Sequence, residues 1–222
     1  MRYRNLQPLL NALLTSAALL LAGAAHADSE DFDAQLKAIQ HDWAVANYDI
    51  DGDAKKQAFA ALSERAEVFA RKHPQRAEPL IWQGIVLSTY AGAKGGLGAL
   101  GLAKRSREVL QKALTIDPNA LEGSAYTSLG ALYSKVPGFP LGFGDDDKAR
   151  DLLRKALAIN PDGIDANFFY GEFLADHEEY AEAQRYLERA LKAPLRPDRE
   201  RADRGRREQI TVLLAQVKRK AV

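Results

Sequence analysis

The sequence predicts an all-α protein built as a helical-hairpin repeat solenoid with capping helices at its N- and C-terminal ends, and three observations predict it. One closing phrase recurs, as KALTIDP at residues 112–118, KALAINP at 155–161 and RALKAP at 189–194. Upstream of each lies a glycine-marked amphipathic stretch: LIWQGIVLSTY at 80–90, YTSLGALYSKV at 126–136 and NFFYGEFLADH at 167–177. Each closing phrase ends on a proline, Pro118, Pro161 or Pro194, which lacks the N–H that a helix interior requires and so stops the second helix of a pair. Phased self-similarity of this kind marks an array in which each helix pair buries its apolar face against the next.

Residues 1–27, MRYRNLQPLLNALLTSAALLLAGAAHA, read as a cleavable secretory signal peptide: two arginines, an apolar stretch, then small residues ending Ala25-His26-Ala27. The longest unbroken apolar or small run, Ala17 to Ala25, is shorter than the roughly 20 residues a spanning helix needs. The chain has no Cys to carry a lipid, and Arg2 and Arg4 are not the adjacent pair of a twin-arginine signal. The expectation is a mature chain from Asp28, exported to the periplasm without a stable membrane anchor.

Residues 28–76 read as an N-terminal helix pair, either a degenerate repeat or a cap. Its first helix is apolar at Phe32, Leu36, Ile39, Trp43 and Ala46, its second at Phe59, Leu62, Ala66, Phe69 and Ala70. Asp49, Asp51 and Asp53 around Gly52 lack calcium-loop spacing and a closing Glu, so they read as a turn. Residues 77–196 hold the three repeats. In them Gly84, Gly130 and Gly171 face small or apolar residues of the partner helices, Ser106, Leu110 and Ala113, then Ala149, Leu153 and Ala156, then Ala183, Leu187 and Ala190. Small residues at a crossing let two backbones approach closely. Residues 197–222 form a charged C-terminal capping helix, with Ile210, Val212, Leu213 and Val217 on one side.

The glycine, alanine and proline phasing over residues 77–196 resembles the tetratricopeptide repeat (TPR), whose period is about 34 residues. A regular repeat of that kind would set glycine and proline about twenty-four residues apart. Gly84 to Pro118 spans thirty-four and Gly130 to Pro161 thirty-one. Both of the first two repeats are therefore expected to carry inserted loops, on the same edge of the array.

The first insertion, AGAKGGLGALG at 91–101, contains a literal G-x-G-x-x-G at Gly96, Gly98 and Gly101. With a repeat helix rather than a strand before it, it does not fit a dinucleotide site. The second, Val136 to Ala149, is stiffened by Pro137 and Pro140 and carries Phe139, Leu141 and Phe143. Those side chains either bind something or pack back onto the array. Asp145, Asp146 and Asp147 read as helix-capping acids in preference to a metal site.

That loop within its flanks, LGALYSKVPGFPLGFGDDDKARDLLRKALAINPDGIDANFFYGEFL, resembles the T component of TRAP transporters, the helical-repeat periplasmic subunit of tripartite uptake systems. The resemblance implies an oligomeric scaffold that contacts a periplasmic solute-binding protein and passes an apolar ligand. The chain departs from lipid-anchored T components in having no Cys.

The TPR resemblance places the first helix of each pair on a concave face. Counted from each glycine, the facing positions are Glu78, Ile81, Ile85 and Ser88, then Ser124, Thr127, Ala131 and Ser134, then Asp165, Phe168, Glu172 and Ala175. None is Lys, Arg or Asn, which argues against a carboxylate clamp for chaperone C-termini. The groove is small, apolar and slightly acidic, suited to an apolar helix or an elongated apolar ligand. From this set and the loop, the candidate partner- or ligand-binding residues are Ile81, Ile85, Thr127, Ala131, Phe139, Phe143, Phe168 and Glu172. The leading reading is a protein-binding scaffold; the alternative is a carrier with an apolar pocket beneath the 136–144 loop.

Catalytic and cofactor chemistry finds no footing in the sequence. His41, His73 and His177 are the only histidines of the mature chain, at no metal-protease spacing, and no G-x-S-x-G occurs. No catalytic residue, metal or cofactor is expected. Residues 28–53 carry eight acids against Lys37 alone, whereas 196–222 carry nine Lys or Arg against four acids. Those opposite ends either pack head to tail between subunits of a homo-oligomer or are two solvated faces. The tail RPDRERADRGRREQ, with its interspersed acids and no aromatic residue, reads as a helix stitched by pairs such as Glu200 with Arg204, not a nucleic-acid patch.

Overall fold

Helix formation follows the paired phrasing of the sequence. The computed structural model describes residues 30–221, in which there are nine α-helices and no strand; the expected signal peptide lies outside the described residues. Helix α1 covers 30–48, and residues 30–38 fall in a different compact unit from Ile39–Val222. Within that second unit come α2 (Gly52–Lys72), α3 (Ala77–Lys94), α4 (Gly96–Ile116), α5 (Ala120–Lys135), α6 (Asp146–Ile159), α7 (Ile164–Asp176), α8 (Tyr180–Lys192) and α9 (Glu200–Lys220). None of these helices is long and apolar enough to cross a membrane.

The helices form two layers. α3 pairs with α4, α5 with α6 and α7 with α8, while α3, α5, α7 and α9 touch one another in that order. Leu110, Leu153 and Leu187, one from the second helix of each pair, are completely buried. They lie against the three marker glycines: a Cβ on Gly84, Gly130 or Gly171 would stand 2.4, 2.6 or 2.9 Å from the Cγ of Leu110, Leu153 or Leu187. The first crossing is tightened by Ser106, whose Oγ donates to the carbonyl of Gly84 at 2.7 Å.

The first insertion is not a loop, contrary to the spacing argument. Its alanines and leucines favour helix, so the extra residues lengthen α3 to 18 residues and α4 to 21. Only Gly95 and Gly96, at φ 63° and 59°, interrupt them, in a left-handed conformation that glycine adopts without steric cost. The G-x-G-x-x-G glycines thus lie on the first turns of α4. The second insertion is a loop, from Val136 to Asp145. Asp145 caps α6 by accepting from the Lys148 N–H at 3.0 Å, and Asp146 and Asp147 occupy its first turn.

α9 does more than cap the last repeat. Besides packing on α7 and α8, it reaches α1: a Cβ on Gly205 would stand 2.3 Å from Tyr48 Cδ1, and Arg201 pairs with Asp49. One residue of the acidic end, Asp49, and one of the basic end, Arg201, thus meet within the chain.

Gly130→Ala should destabilise the protein by about 1–3 kcal/mol, the usual cost of overpacking a filled core, because the wholly buried Leu153 has no solvent to move into. Thermal denaturation followed by circular dichroism reads it as a lowered Tm, and a substitution at exposed Gly101, whose Cβ would meet nothing within 4 Å, should cost much less.

Candidate functional site: a cavity inside the repeat array

A cavity of about 740 Å³ lies on the face made by α3, α5, α7 and α9, well within the size range of small-molecule sites. Ile85 and Ser88 of α3, Ser124, Thr127, Ser128 and Ala131 of α5, and Phe169 of α7 form one wall. Ala99, Leu100 and Ala103 of the lengthened α4 form a second, and Val136, Pro137 and Leu141 of the loop border it. Both insertions thus build the same chamber. The wall hydroxyls are largely turned back on their own helices: Ser88 and Thr89 donate to the Ile85 carbonyl at 2.9 Å, and Ser124 to that of Leu121 at 2.6 Å. A hydroxyl satisfied in this way leaves its carbon atoms as the surface a ligand meets.

One end of the chamber is aromatic and charged. Trp43 and Trp82 meet edge to face with centroids 5.9 Å apart, and Trp43 Nε1 donates to Thr89 Oγ1 at 3.0 Å. Beside them Arg196, Arg199, Arg206 and Asp165 line the wall. Asp165 accepts from Arg196 through one oxygen and from Arg206 Nε through the other, each at 2.8 Å. Behind it Asp203, 1% exposed, accepts from Arg196 Nε at 2.8 Å and from the Arg196 backbone N–H at 3.0 Å. Arg206 lies over the rings of Phe168 and Phe169, 4.4 and 4.7 Å from their centroids. Burial by itself would push the Asp165 carboxyl up, but the charges of Arg206 and Arg196 hold it well below the usual carboxylate range. Arg196 answers in kind: burial opposes its charge, and Asp165 and Asp203 raise its pKa above the ordinary value.

Of the residues expected to bind, Ile85, Thr127 and Ala131 line the cavity; the others do not. Ile81 is wholly buried in the core between helices. Phe168 is also buried and turned under Arg206, while its neighbour Phe169 takes the wall position. Glu172 pairs with Lys135 at 3.4 Å, and that lysine is further held by Asp176 at 2.6 Å. The loop aromatics divide. Phe143 packs edge to face on Tyr133 at 5.4 Å beneath Arg107, whereas Phe139 is 94% exposed and Leu141 74%.

Sequence reasoning missed the arginine end because alternating acids and bases after Pro197 look like a solvated helix. The signal that distinguishes them is Ala202, Gly205 and Ile210, which place the buried side of α9 on the same face as Asp203 and Arg206. It also did not single out Trp43 and Trp82 as wall residues; both are buried and line one end of the cavity. Among the described residues no group of three or more His, Asp or Glu is placed to hold a metal ion.

Residues 141–201 match the tetratricopeptide repeat family. Among solved structures, a thermophilic TPR protein of Thermus thermophilus is similar at 21% identity and a TM-score of 0.51, over 74% of this chain and 84% of that one. The protein MamA aligns at 19% identity and a TM-score of 0.43, over 76% and 91% of the two chains. A MamA fragment from Desulfovibrio magneticus RS-1 aligns at 18% and 0.43, over 72% and 87%. No curated protein sequence matches. The fold is thus a TPR-type α-solenoid, an architecture that presents extended concave surfaces to protein partners.

Asp165→Asn should cost about 2–3 kcal/mol, less than a fully buried pair because the cavity side of the carboxylate is open. A carboxylate with a lowered folded pKa contributes stability above its unfolded value, near ~4, and loses it as pH falls further. Acid denaturation followed by circular dichroism should therefore show a shallower loss below about pH 4 in the variant.

His177 anchors the far end of the loop. Its Nδ1 lies 2.8 Å from the Phe173 carbonyl and its Nε2 3.2 Å from Asp146. The carbonyl first, and Asp146 with it, hold the imidazole above its ordinary pKa. Its contribution is full below about pH 6.5 and fades as pH rises through the folded value. A proton NMR titration should place the His177 midpoint above about 6.5 in the wild type and lower it in Asp146→Asn.

Proposed function

We propose that this chain is an exported TPR-type scaffold that holds an elongated apolar ligand in its cavity and exchanges it with a protein partner. The observation that carries this reading is the chamber itself: both departures from regular repeat length border one cavity lined mainly by apolar side chains. A scaffold that only gripped an extended peptide would gain nothing from α4 and the loop bordering the same space. The one carboxylate of the wall, Asp165, is engaged by Arg196 and Arg206, and binding rather than turnover is the reading this arrangement favours.

A protein contact is favoured by a second observation. Phe139 stands almost bare on the loop, and Leu141, also exposed, borders the cavity with Val136 and Pro137. Exposed aromatic and aliphatic side chains at a pocket mouth are suited to a partner that takes up or delivers the contents. The resemblance to TRAP T components makes a periplasmic solute-binding protein the partner proposed, with the uptake system as its setting.

The mature chain, residues 28–222, recovered from its own periplasm should carry a noncovalent apolar small molecule detectable by native mass spectrometry. Ala131→Phe, which fills the α5 wall, should lose that mass while keeping its helicity. Phe139→Asp should retain the ligand and an unchanged Tm but lose a solute-binding protein in a pull-down. Ligand-free wild-type protein would overturn the carrier reading, and a solute-binding protein retained by Phe139→Asp would overturn the docking assignment.

A further inference from the structure

The charged end of the cavity does not balance. Three guanidiniums, Arg196, Arg199 and Arg206, share the wall with Asp165 and have Asp203 behind it. Arg196 and Arg206 are consumed by those two carboxylates and, for Arg206, by Gln209, which accepts at 2.7 Å. Arg199 is left over. Its guanidinium has no carboxylate partner among the described residues, its Nε is buried without a hydrogen bond, and it lies over the face of Trp82, 5.0 Å from the ring centroid. Burial first, and then the neighbouring charge of Arg196, lower its pKa, while Asp165 and Asp203 act on it from a distance in the opposite sense without pairing with it. Tyr48, close by, supplies no negative charge, since burial raises its phenol above the usual value. The other cation of the wall, Lys135, is already shared between Glu172 and Asp176.

We infer that Arg199 is the head-group site of the cavity, and that the ligand is an amphipathic carboxylate whose apolar body fills the α3–α5–α4 wall while its carboxylate pairs with the Arg199 guanidinium. A guanidinium presents a planar fork that matches a carboxylate with two parallel hydrogen bonds. Three cations against two carboxylates leave one positive charge, which a single carboxylate neutralises; a doubly charged phosphate would leave an excess negative charge beside Asp165. The Trp82 ring, its centroid 5.0 Å from the guanidinium carbon, adds a cation–π contact that holds the side chain at the wall. The inference rests on the carrier reading above and adds the chemical class of the ligand to it.

The chain's two tryptophans, Trp43 and Trp82, both line this cavity, so intrinsic fluorescence reports its filling directly. Titration of the mature chain with dodecanoate, dodecan-1-ol and acetate should give binding of dodecanoate about tenfold or more tighter than dodecan-1-ol, from one charge-assisted pair. Arg199→Gln should bring the two within about twofold of each other by weakening dodecanoate alone, and Arg199→Lys should restore part of the preference. Equal binding of acid and alcohol to the wild type would overturn the head-group site and leave the carrier reading standing. Acetate competing as well as dodecanoate would support the anion site and overturn the apolar carrier. Silence of both tryptophans to every probe would overturn both, and an unchanged Tm in Arg199→Gln separates lost recognition from lost folding.

Discussion

Asp165 is the joint on which the architecture of the cavity depends. It stands on α7, the last of the repeat helices of the inner layer, and takes both Arg196, from the segment before α9, and Arg206, on α9 itself. Two guanidiniums on one partly buried carboxylate fix direction as well as distance, because each donates along its own plane. α9 is thereby held across the array instead of simply extending it, and its Gly205 is brought against Tyr48. Hydrophobic burial of Ile210, Leu214 and Val217 would hold α9 to α7 and α8 without specifying that crossing, since apolar contact is not directional.

Closure converts a groove into a chamber. An open concave face would leave Trp43 and Trp82 bathed in water at one end; here Arg199 covers Trp82 and the ion network backs Phe168 and Phe169. The burial of Asp203 and Arg206 strengthens the ion pairs at that end, and the buried Nε of Arg199 is left there without a hydrogen bond. The opposite end is finished differently. There Lys135 is neutralised by Glu172 and Asp176, and the loop from Val136 onward supplies apolar atoms. The chamber has a charged end with unsatisfied donor capacity and a neutral end bordered by a segment open to solvent.

The two insertions illustrate how one spacing anomaly resolves into two structures. Both lengthen the distance from marker glycine to closing proline. Alanine and leucine around 91–103 let the first be absorbed as helix, with the left-handed pair Gly95–Gly96 as the only break. Pro137 and Pro140 deny the second that option, so it leaves the helix at Val136 and returns at Asp145. Composition inside each insertion, not its length, separates the outcomes, and that information was legible in the residues themselves.

What the sequence by itself determined is the repeat: helix pairs, their closing prolines, and the crossings at Gly84, Gly130 and Gly171, because these are set by local propensity and by residues at fixed spacing within one hairpin. Through the resemblance to the repeat family it also put Ile85, Thr127 and Ala131 on one face of the first helices, and those three line the cavity. Only the tertiary structure decided that Ile81 and Phe168 turn into the core while Phe169 takes the wall, a difference of one position on a curved layer that period alone does not resolve. It alone decided that the basic tail is inward-facing at Arg196, Arg199 and Arg206. The partners of those side chains lie 31 to 41 residues away on α7 or across the array on Trp82, and no pattern within a single helix records which distant carboxylate or ring a guanidinium will meet.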